Sequence, residues 1–183
     1  KDLGCEAVDF PSHNGSRLVP MHGFYAHINV ARPQARGAVT LAGPDPEQPP
    51  VIDQNYNGTE ADRIALREGV RIARRIFAQA AFDPMRGEEL GPGSAVQDDA
   101  AIDAYIRASA EADYHSVGTA RMGGDPLAVV DPELRVRGTL GLRVVDASVM
   151  PHLPGGNTAI PVAMIAEKAA DMILGRAPPP PAP

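Results

Sequence analysis

Apolar and polar residues alternate in FYAHINVA, residues 24–31, with Phe24, Ala26, Ile28 and Val30 on one face and Tyr25, His27 and Asn29 on the other. A period of two predicts a half-buried strand. After the turn-forming RPQARG, the run AVTLA puts Val39 and Leu41 on one side of a second short strand. That strand should stop at the proline-rich GPDPEQPPV, because proline lacks the N–H that a ladder needs. From Thr59 the period lengthens. Leu66, Val70, Ala73 and Phe77 fall at i, i+4, i+7 and i+11, which predicts an amphipathic helix. Arg63, Arg67, Glu68, Arg71 and Arg74 cover its other faces and read as solvated. Thr59 followed three residues later by Asp62 is arranged like a capping box, which would satisfy the helix's first N–H groups. Ile102, Tyr105 and Ile106 predict a second helix over 98–110.

Two β-rich runs, 134–136 and 142–145, are separated by the turn Gly138-Thr139-Leu140-Gly141. Gly155-Gly156-Asn157-Thr158 then opens a last helix, AIPVAMIAEKAADMIL, with Pro161 tolerated in the first turn and Gly175 closing it. Its first half is apolar on most faces, so it should be buried against something. The first twenty or so residues show no periodicity and read as a surface loop, and the tail RAPPPPAP is polyproline-like. There is no internal repeat.

A chain of 183 residues with 44% hydrophobic content can bury a real core. A formal charge of -6, from 17 basic and 23 acidic residues without runs of one sign, argues against nucleic acid or an anionic membrane as partner. A small molecule fits better. No apolar run approaches the roughly 18–20 residues of a membrane span, and KDLGCEAVDF has no signal-peptide core, so a soluble protein is expected, cytoplasmic rather than secreted. Sequons at Asn14 and Asn57 leave the location open. The absence of an initiator Met fits either a trimmed chain or one cut from a longer precursor. Cys5 is the single cysteine, which excludes an internal disulfide and reads as a small hydrophobe.

The histidines, His13, His22, His27, His115 and His152, are spaced 9, 5, 88 and 37 apart and match no standard metal cluster, so no metal is expected. Neither G-x-S-x-G nor a phosphate loop followed by Lys occurs. His115 stands out through its small neighbours in DYHSVGTARMGG, which leave room for something flat and large to approach the backbone. PGGNTAIP supplies a second element, a glycine pair and a polar side chain at a helix start, where free N–H groups favour an anion or a reduced, negatively charged ring. A titratable imidazole and the amide of Asn157 could hold an alcohol oxygen between them as it loses its proton. Taken singly, His115 reads as a structural imidazole and Asn157 as an N-cap; their pairing favours chemistry.

From DYHSVGTARMGG through LRVVDASVMPHLPGGNTAIPVAMIAEKAADMI the chain closely resembles the C-terminal region of the glucose-methanol-choline (GMC) oxidoreductases, flavoenzymes that oxidise alcohols. RPQARGAVTLAGPDPEQPPVIDQNY and the helix with EGVRIARRI look like the substrate-domain portion of that family. The resemblance covers roughly residues 24–175. It implies FAD as cofactor and His115 as the base that takes the substrate's hydroxyl proton while hydride passes to flavin N5. It also implies that Asn157 hydrogen-bonds the reacting oxygen, that Asp146 and Ala147 lie along the FAD, and that the backbone of Thr158 and Ala159 approaches the isoalloxazine. Tyr114, beside the base, is a candidate substrate-binding wall, and His152 is structural or substrate-facing.

The family's dinucleotide fingerprint, G-x-G-x-x-G after a strand, is not found in this sequence. The expectation is therefore the C-terminal part of a larger, cleaved or split flavoenzyme, whose partner chain or segment carries that fingerprint. The expected fold is α+β. A mainly antiparallel sheet with flanking helices forms the substrate-binding portion over 1–118. A strand and helix over 119–176 return to complete a Rossmann-like FAD-binding domain, and 177–183 form a disordered tail. Two alternatives to alcohol oxidation remain open, a hydroxynitrile lyase on the same scaffold and a non-catalytic capping subunit.

Overall fold

The computed structural model describes residues 23–177 and, of the stretch before them, the backbone of two short strands. Cys5, His13, His22, the sequon at Asn14 and residues 178–183 lie outside the described residues. Strand β1 (Asp9–Phe10) pairs antiparallel with β2 (Arg17–Leu18), Asp9 opposite Leu18, within a stretch read from the sequence as loop. Two-residue ladders need only two paired backbones, and no side-chain period announces them. A second antiparallel pair joins β3 (Ala38–Thr40) to β4 (Val51–Asp53), Val39 opposite Ile52. Pairing ends at Thr40 opposite Val51, and Pro44, Pro46, Pro49 and Pro50 lie between the two strands. Three helices follow, α1 (Glu60–Phe77), α2 (Asp99–Ser109) and α3 (Ala159–Leu174). The class is α+β, but the sheet is limited to two separate two-stranded pairs among the described residues, far less than the mainly antiparallel sheet expected.

The chain divides into two compact units of interleaved segments. The first takes Asn55–Glu111, Gln34–Arg36 and the chain up to Val30; the second takes Ala31–Pro33, Gly37–Gln54 and everything from Ala112. In the first unit α1 and α2 enclose Val70, Ile102 and Ile106, with Leu66, Tyr105 and Ile28 packed around them. The helical periods of the sequence thus identify the buried faces correctly. The strand expected over 24–31 does not form. Residues 23–30 carry no ladder; Ile28 packs against α1 and Phe24 against Phe77 and Phe82, ring centroids 5.0 and 5.5 Å away. Alternation reports which side chains can face a core, and here that core is helical.

Gly69 marks the crossing. A Cβ there would lie 2.3 Å from Ile28 Cγ2, so the segment passes too close to α1 for any side chain. Alanine would raise helix propensity by about 0.8–1 kcal/mol, whereas overpacking a stiff β-branched neighbour costs typically 1–3 kcal/mol. Gly69→Ala should therefore lower stability by about 1 kcal/mol, read as a lower denaturation midpoint; an unchanged or higher midpoint would show that Ile28 yields freely.

The capping residues do more than the sequence indicates. Thr59 Oγ1 accepts the N–H of Asp62 at 3.2 Å, as a capping box requires. The Asp62 carboxylate, only 4% exposed, instead accepts the N–H groups of Gln34 at 2.9 Å and Ala35 at 2.8 Å, tying 34–35 to the start of α1. Arg67, expected in solvent, is mostly covered and joins the helices: it pairs with Glu60 of its own helix, with Asp99 at 2.7 Å and with Asp103 at 3.0 Å, while Arg71 also pairs with Asp99. The two guanidinium groups, Arg71 first, hold the Asp99 carboxyl below its ordinary range. Asp98 caps α2 by accepting the Ala101 N–H at 2.8 Å.

The second unit closes on Val130, Leu134, Val149 and Ala169, with Met122, Val136, Val144, Val145 and Ile165 around them. The runs 134–136 and 142–145 pair through Val136 N–H to Leu142 at 2.9 Å and Val144 N–H to Leu134 at 3.1 Å, as isolated bridges and not as strands. Gly138 and Gly141, both at positive φ, turn the chain between them as expected. Gly175, at φ 66°, ends α3. The apolar half of α3 is not buried here: Ile160 is 80% and Met164 66% exposed.

Candidate active site

Past α2 the chain reverses at Tyr114, whose φ of 54° is uncommon for a bulky L-residue. Its ring stands 90% exposed while the next residue, His115, turns half-buried into the second unit. Residues 118–122 then run beside the short 3-10 turn Ala147–Val149. Ala120 N–H donates to Ser148 at 3.0 Å and Met122 N–H to Val149 at 2.8 Å. Gly118, at φ 93°, allows the bend, and a Cβ there would lie 3.4 Å from the Met150 carbonyl.

Asp146 shapes that turn. Its carboxylate accepts the Ser148 N–H at 2.8 Å and the Ser148 hydroxyl, so its observed work is to cap the 3-10 turn. Ala147 is half-buried in the same turn. At the end of segment 118–122, Arg121 and Asp125 form a two-pronged ion pair, both contacts 2.7 Å, and the guanidinium holds the Asp125 carboxyl far below the ordinary carboxylate range. This pair fixes the loop that follows the histidine.

The second element arrives through Gly155, at φ 84°, where the Arg32 side chain packs so closely that a Cβ would lie 3.0 Å from its Nε. Thr158 is the N-cap of α3, yet its side chain makes no cap hydrogen bond. The hydroxyl is turned instead to His115, Nδ1 to Oγ1 3.0 Å, in a position only 7% exposed. Asn157 and Ala159, on either side of Thr158, are exposed. The structure thus brings His115 and Thr158 into contact, with Asn157 and Ala159 next in the chain. Tyr114 stands in solvent beside them, and His152 is exposed in the loop before Gly155. The Thr158 side chain is the participant that sequence reasoning did not single out, since the bond spans 43 residues and leaves no periodic trace.

A half-buried imidazole, an exposed amide one residue away from its partner and an uncapped helix start form one constellation. It can accept a proton, hold an oxygen and offer N–H donors to an anion. Residues 33–166, which carry all of these groups, match the family model described as GMC oxidoreductase.

The chain belongs to the GMC oxidoreductase family.

An oxygen-dependent choline dehydrogenase from Brucella ovis is 48% identical over 168 residues, which is 91% of this chain and 31% of that relative. Among solved structures, pyridoxine 4-oxidase from Mesorbium loti superposes with a TM-score of 0.75 at 36% identity, covering 81% of this chain and 29% of that one. A formate oxidase from Aspergillus oryzae RIB40, in a structure concerned with FAD modification, gives 0.72 at 34% identity, covering 80% and 26%. This GMC chain therefore spans about a third of the length of these relatives. Among the described residues, no helix is long and apolar enough to cross a membrane.

Proposed function

We propose that this chain is the substrate-side part of an FAD-dependent oxidoreductase that oxidises a CH–OH group. The observation that carries the reading is His115, half-buried and bonded to Thr158 at the uncapped start of α3, one residue from the exposed Asn157. Residues 1–118 are its substrate-binding portion. Residues 119–176 return to complete a Rossmann-like FAD-binding domain, whose dinucleotide fingerprint lies on an N-terminal segment or partner chain. The exposed Ile160 and Met164 on α3 support a covering partner, since free apolar faces of that kind mark interaction sites.

The residues present suit a flavin. A Cβ at Gly156 would meet nothing within 4 Å, Asn157 and Ala159 are small and exposed, and the first N–H groups of α3 have no side-chain cap, so an electron-rich ring edge could be received there. When bound, FAD supplies the two-electron acceptor for a hydride leaving the substrate carbon. The chain's own work is to handle the proton and the oxygen. His115 accepts the hydroxyl proton, so that the alcohol carbon loses a hydride, the oxygen loses a proton and a carbonyl forms. Asn157 cannot titrate, and it donates to the oxygen as negative charge develops. Asp146 and Ala147 border the cofactor, the carboxylate of Asp146 keeping their turn rigid. Tyr114 forms a substrate wall, and its exposed ring suits a quaternary ammonium alcohol such as choline through cation–π attraction.

The test is an anaerobic visible spectrum of the native flavoprotein containing this chain, before and after addition of choline, pyridoxine and simple primary alcohols. Flavin bands that bleach with one alcohol support the reading and name the substrate class. Turnover of a hydroxynitrile without bleaching would replace it with the lyase reading, and a preparation without flavin would overturn it.

A further inference from the structure

Resting on the reading of His115 as base, we propose that Thr158 is a positioning residue that selects the working nitrogen of His115. Its hydroxyl oxygen accepts Nδ1–H, which leaves the Nε2 lone pair to take the substrate proton. Three observations meet at this contact. The Nδ1 to Oγ1 distance is 3.0 Å, an ordinary hydrogen bond. Thr158 is 7% exposed, so water has little access to compete for its hydroxyl. As N-cap of α3, Thr158 would by habit spend its oxygen on its own helix, yet no such bond is made, and that oxygen is committed to the ring.

A neutral imidazole carries one N–H and one lone pair, and the partner of one nitrogen decides which is which. An aliphatic hydroxyl is uncharged on both sides of the proton transfer. It therefore accepts Nδ1–H from neutral His115 and goes on accepting it from the imidazolium, where the bond becomes charge-assisted and stronger. An interaction that strengthens as the proton moves lowers the barrier, unlike one equally strong before and after. A carboxylate at the same place would hold the proton more tightly but would also put a full charge at the start of α3, where the flavin reading needs room for an anion. Threonine supplies the acceptor without the charge. Its fixed place at the helix start, with a β-branched side chain of few rotamers, holds the ring's orientation as well as its tautomer.

The experiment uses the native flavoprotein carrying Thr158→Val, Thr158→Ser or His115→Ala, with rates expressed per bound flavin, and 15N-histidine spectra of the wild type and the Thr158 variants. Thr158→Val keeps the shape and removes the acceptor. It should lower kcat by about tenfold with KM changed less than about twofold, and Thr158→Ser should restore most of the loss. In the wild type the His115 Nδ1 resonance should be of the protonated kind and Nε2 of the unprotonated kind; in Thr158→Val the two should move toward averaged positions. Wild-type kcat and an unchanged tautomer in Thr158→Val, alongside a large loss in His115→Ala, would overturn the positioning role and leave the base assignment standing. Full turnover in His115→Ala would overturn the base assignment itself, and with it the reason for a working nitrogen.

Discussion

Turnover in His115→Ala should fall by about 10²–10⁴-fold while the flavin stays bound, the range expected when a positioned general base is removed. The geometry makes the two effects separable. The imidazole is half-buried and held on one side by Thr158, so its removal leaves a small void next to a buried hydroxyl and does not open the core at Val130, Leu134, Val149 and Ala169. The loss should therefore appear in kcat for hydride transfer, followed as anaerobic flavin bleaching in a stopped-flow instrument, with the flavin spectrum before substrate unchanged. His115→Gln keeps a polar group of similar reach but cannot take up a proton at neutral pH, and it should be nearly as slow. A variant that bleaches at the wild-type rate would mean that the proton leaves by another route, and His115 would then be a structural imidazole.

The largest effect on stability is expected at Asp62. Asp62→Ala removes a carboxylate that satisfies two backbone N–H groups from a distant stretch, Gln34 at 2.9 Å and Ala35 at 2.8 Å, and leaves those donors without it at the foot of α1. Each stranded donor costs on the order of 1–3 kcal/mol, so a loss of about 3 kcal/mol is expected, measured as a lower denaturant midpoint of the native protein. The acid dependence carries a second signature. Burial alone pushes the Asp62 carboxyl up, but the N–H groups of Gln34 and Ala35, the Thr59 hydroxyl and the Arg36 charge together pull it below its ordinary value. A carboxyl depressed in the folded state contributes stability that is full above the ordinary aspartate range. That stability is lost as pH falls through the folded value. Asp62→Asn should therefore be less stable than wild type near neutrality and show a shallower decline on acidification. Equal acid slopes in the two proteins would show that the carboxylate contributes little as an ion.

Gly69→Ala and Asp62→Ala probe the same question from two sides, since Ile28 and residues 34–35 reach α1 from one stretch of chain. That stretch is one place where sequence reading and structure part. The alternation over 24–31 correctly signals that Ile28 has an apolar neighbour but assigns that neighbour to a sheet. Period two tells which side chains can share a face; it does not tell what lies opposite.

Within α1 and α2 the apolar faces were legible in the sequence. Leu66 and Val70, or Ile102 and Ile106, are separated by one helical turn, so the face they form is written in spacings of three and four, and the packing of α1 on α2 follows it. Thr59, Asp98 and Gly175 likewise mark helix ends within a few residues of their own positions. His115, Asn157 and their glycine-spaced surroundings stood out in the sequence as motifs, and at Gly118 the structure shows a close approach of backbone, 3.4 Å from the Met150 carbonyl to a Cβ placed there. What those motifs do to each other was not legible. The commitment of the Thr158 hydroxyl to an imidazole 43 residues earlier, the use of the Asp62 carboxylate away from its own helix, and the conversion of Arg67 from a solvated charge into a bridge between helices all join groups far apart in the chain. Local pattern marks which groups can face inward. Only the folded chain decides which of them meet, because a polar group brought inside must find a partner wherever the backbone has placed one.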